Sequence, residues 1–419
     1  MIKRPRGTRD VLPDETGRWR FVEDAAREIC ARFAYGELRF PTFEFTELFS
    51  RGVGDTTDVV QKEMYTFEDR DRRSVTLRPE GTASAVRALI ENGLTGDVMP
   101  QKFYYIIPCF RYEKPQAGRL REFHQFGAEV FGAPDPAADA EIISLAHMLF
   151  ARLGVRGLDL RINSLGCPEC RKGYYDKLRA YFEGRRDELC DTCRGRLEKN
   201  PMRILDCKSE QCRAVAAGAP SILDSICPEC ADHFEKVKGY LAAMDIPFAV
   251  DDRIVRGLDY YTRTVFEFVS NEIGAQGTVC GGGRYDGLVA ELGGKPTAGL
   301  GFAMGLERLL LLMEAQGLLP GNDAAGEIYI ASMDAESGVE AVRLVHRLRE
   351  RGISAQCDVV GRSLKAQMKY ADKTGARYSM VLGSQELGSR RAKIKDMATG
   401  EGEEISLDSL CEYIEEHRK

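Results

Sequence analysis

At 419 residues the chain is longer than one ordinary domain, so two or more folded units with their own cores are expected. Apolar residues make up 43% and aromatics 9%, which excludes a disordered chain, and the net charge of −6 excludes a uniformly basic nucleic-acid binder. No apolar run approaches membrane-spanning length and no secretory h-region follows the basic start MIKRPRGTRD, so the 13 cysteines read as reduced thiols or metal ligands of a cytoplasmic protein.

In chain order, Trp19, Val22, Ala26, Ile29 and Phe33 recur at spacings of three and four and predict an amphipathic opening helix. Segments 39–49, 74–79, 102–113 and 121–131 are rich in Phe, Tyr, Val and Ile and predict strands; helices over 82–92 and 136–153 separate some of them. The loop KPQAG joins the two longest strands as a hairpin. Eight of the cysteines fall between 167 and 230, which marks a cysteine-rich insertion over 166–235. Strands over 264–269, 278–283 and 297–303 follow, then a helix from near Met304. The stretch GLLPGNDAAG (317–326) has a linker's composition, and the pattern beyond it alternates strand and helix. The expected class is α+β: an antiparallel sheet with flanking helices and an inserted helical subdomain over 1–320, then an α/β domain over 327–419.

Charge is unevenly spread. Arg362, Lys365, Lys369, Lys373, Arg377, Arg390, Arg391, Lys393 and Lys395 face only Asp372 and Glu386 within 362–395, so a polyanionic partner is expected there. Arg362, Lys365, Lys369 and Lys373 fall at helical spacing, with Leu364, Met368 and Ala371 on the opposite, core-facing side.

In REFHQFGAEVF the period of two puts Arg121, Gln125, Gly127 and Glu129 on one strand face, with Gly127 leaving it open between two polar groups. The partner strand ends in Arg111 and Glu113, and the loop carries Lys114 and Arg119. Cations beside a carboxamide and a carboxylate suit an anionic nucleotide and a cationic amino acid.

The string FRYEKPQAGRLREFHQFGAEVFG is similar to motif 2 of class II aminoacyl-tRNA synthetases in its histidyl form. VRGLDYYTRTVFEF and GTVCGGGRYDGL resemble the two histidine-specific signatures, TAGLGFAMGLERLLLL resembles motif 3, and ELRFPTFEFTELF resembles motif 1, with Pro41 at a dimer interface. GRSLKAQMKYADKTGARYSMVLG resembles the anticodon-binding domain that ends class IIa synthetases. There is no HIGH, KMSKS or P-loop string.

The resemblance implies a ligase that activates L-histidine with ATP and Mg²⁺ to histidyl-adenylate, then charges tRNA(His), working as a homodimer. It implies Arg256 and Arg111 as catalytic residues, and Arg111, Glu113, Arg119 and Arg308 around ATP. Glu80, Thr82, Arg111, Gln125, Glu129, Arg256, Tyr260, Tyr261 and Tyr285 would bind histidine. Lys114 and Gln116, together with Arg362, Lys365 and Lys369, are the candidates for touching tRNA. The pairs Cys167 and Cys170, Cys190 and Cys193, Cys207 and Cys212, and Cys227 and Cys230 have zinc spacing, enough for one or two structural Zn²⁺ sites; they depart from the family pattern and say nothing about catalysis. The five histidines show no metal spacing. The alternative is a non-catalytic synthetase-like paralogue that regulates another enzyme or senses histidine or tRNA; it should lack the tail and degrade the arginines, and this chain keeps both.

Overall fold

The computed structural model describes residues 1–54, 57–273, 277–321 and 326–417. The chain divides into two compact units, Met1–Asp10 with Arg18–Leu319, and Val11–Gly17 with Pro320–Lys419.

The strands of the larger unit are, in chain order, β1 (Gly36–Glu37), β2 (Phe43–Phe45), β3 (Tyr65–Glu68), β4 (Ser74–Leu77), β5 (Gln101–Phe110), β6 (Glu122–Phe131), β7 (Leu158–Ser164), β8 (Ala249–Val250), β9 (Thr262–Ser270), β10 (Thr278–Arg284) and β11 (Gly299–Gly305). Eight form one sheet in the order β1-β5-β6-β11-β10-β9-β7-β8. Its six central strands are antiparallel; the edge pairs β1 with β5 and β7 with β8 are parallel, a detail the expected antiparallel sheet lacked. The remaining strands make a small sheet, β2-β4-β3.

The hairpin of β5 and β6 runs in unbroken register from Gln101 opposite Phe131 to Phe110 opposite Glu122. Its many aromatic residues, with Ile106, Ile107 and Val130, suit a pleated surface. The helix Pro136–Arg152 starts where the Asp135 side chain accepts from the Ala137 N–H at 2.9 Å, with proline at its first position, and packs on β6, β10 and β11.

Three local expectations shift. The strand placed over 39–49 stops at Phe45, and a helix runs from Thr46 to Val53, because Phe49 and Val53 bury one face at a spacing of four. The opening helix covers Pro13–Arg32 and leaves Phe33 beyond it. Met304 still pairs in β11, and the next helix begins at Leu306. The linker stretch lies partly at 322–325, outside the described residues.

The cysteine-rich segment folds as helices Pro168–Glu183, Asp191–Lys199, Glu210–Ala217 and Pro228–Ala243. Tyr174, Leu178, Phe182 and Leu197 on these helices share one core with Tyr105, Phe131, Tyr260, Tyr261 and Tyr285 of the sheet region. Burying each such side chain stabilises by roughly 1.5–3 kcal/mol, so the segment is bonded into the wall of the sheet.

In the smaller unit, strands Ile328–Ser332, Ala355–Cys357 and Tyr378–Leu382 pair in parallel, and Arg391–Asp396 and Gly402–Ser406 extend the sheet antiparallel. IYIAS is apolar throughout because both faces are covered: Ile328 and Ile330 meet Leu344 and Leu348, while Tyr329 and Ala331 meet Ala371.

Candidate active site

A cavity of about 620 Å³ opens on one face of the large sheet, a volume suited to an amino acid beside a nucleotide. Arg111, Glu113, Arg119 and Arg308 line it together with Glu80, Thr82, Gln125, Arg256, Tyr260 and Tyr261.

The guanidiniums of Arg111, Arg119 and Arg308 lie close enough on the cavity wall to repel one another. Arg111 Nε donates to the Pro79 carbonyl at 2.8 Å and the group lies over the Phe123 ring. Arg119 Nε is 2.6 Å from Glu113, and Arg308 donates to the Thr278 carbonyl at 2.7 Å. Burial first, then the positive charge of Arg119 and of Arg111, pulls the Arg308 pKa below its ordinary value, with Glu113 acting the other way. A polyanion placed here relieves that repulsion.

Arg256 lies between Glu267, with which it is paired, and the face of Tyr261, 5.8 Å from the ring centroid. Burial opposes its charge, but Glu267 and Tyr261 outweigh it and hold the guanidinium above its ordinary pKa. Gly281 makes room: a Cβ there would fall 2.5 Å from two guanidinium nitrogens. Glu267 also accepts from the Thr278 hydroxyl at 3.0 Å. Sequence reading passed over Glu267; a lone carboxylate inside the apolar strand TRTVFEF was the available signal.

Glu80 accepts the Thr82 and Ala83 N–H groups at 2.7 and 2.8 Å, at the start of helix Thr82–Glu91, and burial pushes its pKa up. Gln125 is nearly buried and accepts from Cys109. Glu129 does not reach the cavity wall, and neither does Tyr285. Glu129 accepts from Thr82 at 2.8 Å, from Tyr105 at 2.9 Å and from Tyr285. Burial pushes its pKa up to about 8, with the three hydroxyls working against that rise. The face expected to stay open at Gly127 is filled, because the Tyr105 ring lies where a Cβ at Gly127 would stand, 2.4 Å away. Arg121 turns away from its face and stacks 3.7 Å over Tyr112.

Lys114 and Gln116 are exposed on the hairpin loop. His124 sits 3.0 Å from Glu307 and edge-on to Trp19, a packing role. Lys208 and Asp206, from the cysteine-rich segment, also line the cavity, so that segment is closer to the chemistry than expected.

The eight cysteines form two quartets, Cys167, Cys170, Cys227 and Cys230, and Cys190, Cys193, Cys207 and Cys212, with all Sγ atoms of a quartet within 4.8 Å of one another. All are free thiols; Cys167 and Cys170 stand 3.5 Å apart and Cys190 and Cys207 3.9 Å, well beyond a disulfide. Backbone donation from Cys230 above all lowers the Cys227 thiol to about 7, close to the range where it is a ligand at neutral pH.

In the smaller unit Lys365, Lys369 and Lys373 are exposed on the helix Leu364–Lys373, while Leu364 and Met368 pack inward with Ala371. Arg362 precedes that helix, bonded to Asp358 at 2.8 Å and stacked over Tyr370, so it does not extend the lysine face. The basic excess over 362–395 is also partly neutralised, since Arg390 pairs with Glu340 and Asp408 and Arg391 with Glu404. Gln367, not singled out in the sequence, is buried and ties the helix to Ser332 through bonds of 3.0 and 2.9 Å.

The chain matches the family described as histidyl-tRNA synthetase over residues 7–169 and 201–309, which is more than half its length. It belongs to the histidyl-tRNA synthetase family. Residues 327–417 match the family described as anticodon binding domain. Histidine–tRNA ligases of Acetivibrio thermocellus and Caldanaerobacter subterraneus are each 54% identical over 414 residues, 99% of this chain and of theirs. The crystal structure of apo S. aureus histidyl-tRNA synthetase superposes with a TM-score of 0.84 at 41% identity, covering 99% of this chain and 100% of that one. A Bacillus halodurans protein described as an ATP phosphoribosyltransferase regulatory subunit/histidyl-tRNA synthetase shares the fold, with a TM-score of 0.65 at 23% identity. The fold is therefore that of class II synthetases, a mixed α and β catalytic domain followed by an anticodon-binding domain. The family match skips 170–200, inside the cysteine-rich segment.

Proposed function

We infer that this protein activates L-histidine with ATP and transfers the histidyl group to the 3′ end of tRNA(His). The observation that carries the reading is one cavity whose lining brings together Arg111, Arg119, Arg308 and Arg256 with Gln125 and Glu80. In the first step a histidine carboxylate oxygen attacks the α-phosphorus and pyrophosphate leaves, giving histidyl-adenylate. In the second a ribose hydroxyl of the terminal adenosine attacks the acyl carbon and AMP leaves. Arg111 would hold the α-phosphate and the histidine carboxylate, Glu113 the adenine, and Arg119 and Arg308 the outer phosphates, with Mg²⁺ arriving on ATP. Arg256 would stabilise charge on the α-phosphate in the transition state. Gln125, Thr82 and Glu80 would face the histidine ammonium, and Tyr260 and Tyr261 would frame the imidazole. Glu129 and Tyr285 would support it from behind the wall.

Residues 1–320 would be the catalytic domain, interrupted by the insertion over 166–235, and 327–419 the anticodon-binding domain. Lys114 and Gln116 would meet the acceptor end. Histidine-dependent ATP–pyrophosphate exchange, run against each other amino acid, tests the reading. Exchange with histidine alone is expected. The double variant Lys365→Glu, Lys369→Glu should raise the KM for tRNA about tenfold or more and leave exchange intact. Histidine binding without exchange would move the protein to the sensing or regulatory alternative.

Each quartet would hold one structural Zn²⁺. Tetrahedral coordination with Zn–S bonds of ~2.3 Å sets sulfur pairs about 3.8 Å apart, between the 3.5 and 3.9 Å found here. Bound zinc would tie chain segments together and take no part in acyl transfer.

A homodimer would form through the small sheet. Phe45 and Phe67 both pair with Val75, so Phe43, Phe45 and Phe67 share a face, and they are 56%, 56% and 49% exposed beside the groove at Pro41. Sedimentation of the wild type at micromolar concentration should give a dimer and Phe45→Glu a monomer; a monomeric wild type would refute this. Among the described residues no helix is long and apolar enough to cross a membrane, and the cytoplasm is the compartment this reading implies.

A further inference from the structure

The loop over 251–261 carries Arg256, Tyr260 and Tyr261, and the cysteine-rich segment grips it along its length. Arg253 donates to the carbonyls of Ala216, Ala217 and Ala219 at 3.2, 3.2 and 3.0 Å. Arg203 donates to the Gly257 carbonyl at 2.7 Å and to the Asp259 carboxylate at 3.0 Å, where Asn200 joins it at 3.1 Å. Arg171 donates to the Asp259 and Tyr261 carbonyls at 3.3 and 2.9 Å. On its far side Asp259 is bonded through its N–H to the Val53 carbonyl and abuts Gly54.

Arg171 directly follows Cys170 of one quartet. Arg203 and Asn200 lie between Cys193 and Cys207 of the other, and the carbonyls held by Arg253 follow Cys212. Neither Arg171 nor Arg203 lines the cavity, so neither meets substrate. The segment bearing Arg203 is a short helix and a 3₁₀ turn, Asp191–Lys199 and Pro201–Ile204, which have little order of their own without the cross-link at their ends.

We propose that the two quartets bind zinc to anchor a clamp in which Arg203 and Arg171 are positioning residues for the histidine-activating loop. Zinc fixes the ends of each segment, the arginines pin the loop's backbone carbonyls, and Arg256 and Tyr261 are held at the cavity. The proposal rests on the zinc and aminoacylation readings above.

The test uses the full-length protein purified without chelator. Metal analysis should give two zinc ions per chain, one for each quartet. Arg203→Ala should keep both, lower the kcat of histidine-dependent exchange about tenfold and leave the KM for ATP within about twofold. Arg203→Lys should recover part of the loss. Cys190→Ser with Cys207→Ser should lose one zinc and produce the same defect, and adding Arg203→Ala to it should cost little more, since both act on one device. Hydrogen exchange over 251–261 should speed up in both variants, a readout that holds even if the wild type shows no exchange activity. Zinc below one per chain overturns the metal anchor, whatever Arg203→Ala does. Two zinc ions with unaltered loop exchange in Arg203→Ala overturns the clamp, and full additivity of the two changes severs one from the other.

Discussion

Arg256→Ala should lower the rate of histidine-dependent pyrophosphate exchange by about 10³-fold, in kcat and kcat/KM alike, as the role proposed for Arg256 requires. A preorganised donor aimed at charge that develops in the transition state is worth ~10²–10³ by itself. Here the loss is compounded: Glu267, paired with Arg256 in the native protein, is left as an uncompensated carboxylate on the cavity wall, where it repels the phosphates. Arg256→Lys should recover little, because an ammonium cannot offer the planar fork that bonds Glu267 and a phosphate oxygen together. The double variant Arg256→Ala, Glu267→Gln should regain about tenfold over Arg256→Ala, by removing the repulsion without restoring the donor. Single-turnover adenylate formation reads these rates directly. A loss of less than tenfold in Arg256→Ala would remove Arg256 from the catalytic set.

Arg284→Ala should cost about 3–5 kcal/mol of stability, read as a lower urea midpoint at pH 7. Arg284 is fully buried at the end of β10, where it meets the Asp139 carboxylate through contacts of 3.0, 2.9 and 2.6 Å and the Asp135 carbonyl at 2.9 Å. Burial works against the charge on Asp139, but His233 and Arg284 together hold its pKa below the usual carboxylate range. A depressed carboxylate stabilises the fold above its unfolded pKa of about 3.9, and that contribution is lost as pH falls through the lower, folded value. In Arg284→Ala the desolvated carboxylate loses its cation, so the protective effect of neutral over acid pH should shrink with it. Arg284→Met combined with Asp139→Leu should cost less than the arginine change alone, since the buried Asp139 carboxylate goes with its cation and only the partly exposed Asp286 loses a partner. A midpoint change worth under about 1 kcal/mol would refute the role given to the pair.

Much of the architecture was legible in the chain. Two runs rich in Phe, Tyr, Val and Ile, 102–113 and 121–131, joined by KPQAG, marked the hairpin, and the arginine-bearing strings marked residues that line one cavity. Where local reading failed, two periods overlapped. Phe43 and Phe45 belong to a strand and Phe49 and Val53 to a helix, and one aromatic-rich run concealed the change. The lysine face of the tail was visible from spacing alone; that Arg390 is neutralised by Glu340, fifty residues away, was not.

By itself the sequence determined which residue types stand at which local spacing, and hence the strands, the helices and the chemistry of the cavity's arginines and tyrosines. Those properties depend on neighbours within a turn or a strand, where propensity and periodicity act. Tertiary structure decided what each group touches. Glu129 is enclosed by three hydroxyls, one from Tyr285, 156 residues away, and this leaves it behind the wall with a pKa near 8. Arg256 found Glu267, eight cysteines sorted into two quartets, and their segments reached the loop that lines the cavity. Such contacts arise only when the sheet and the inserted helices close over one core, because desolvation and hydrogen-bond geometry are properties of the packed interior that no local spacing encodes.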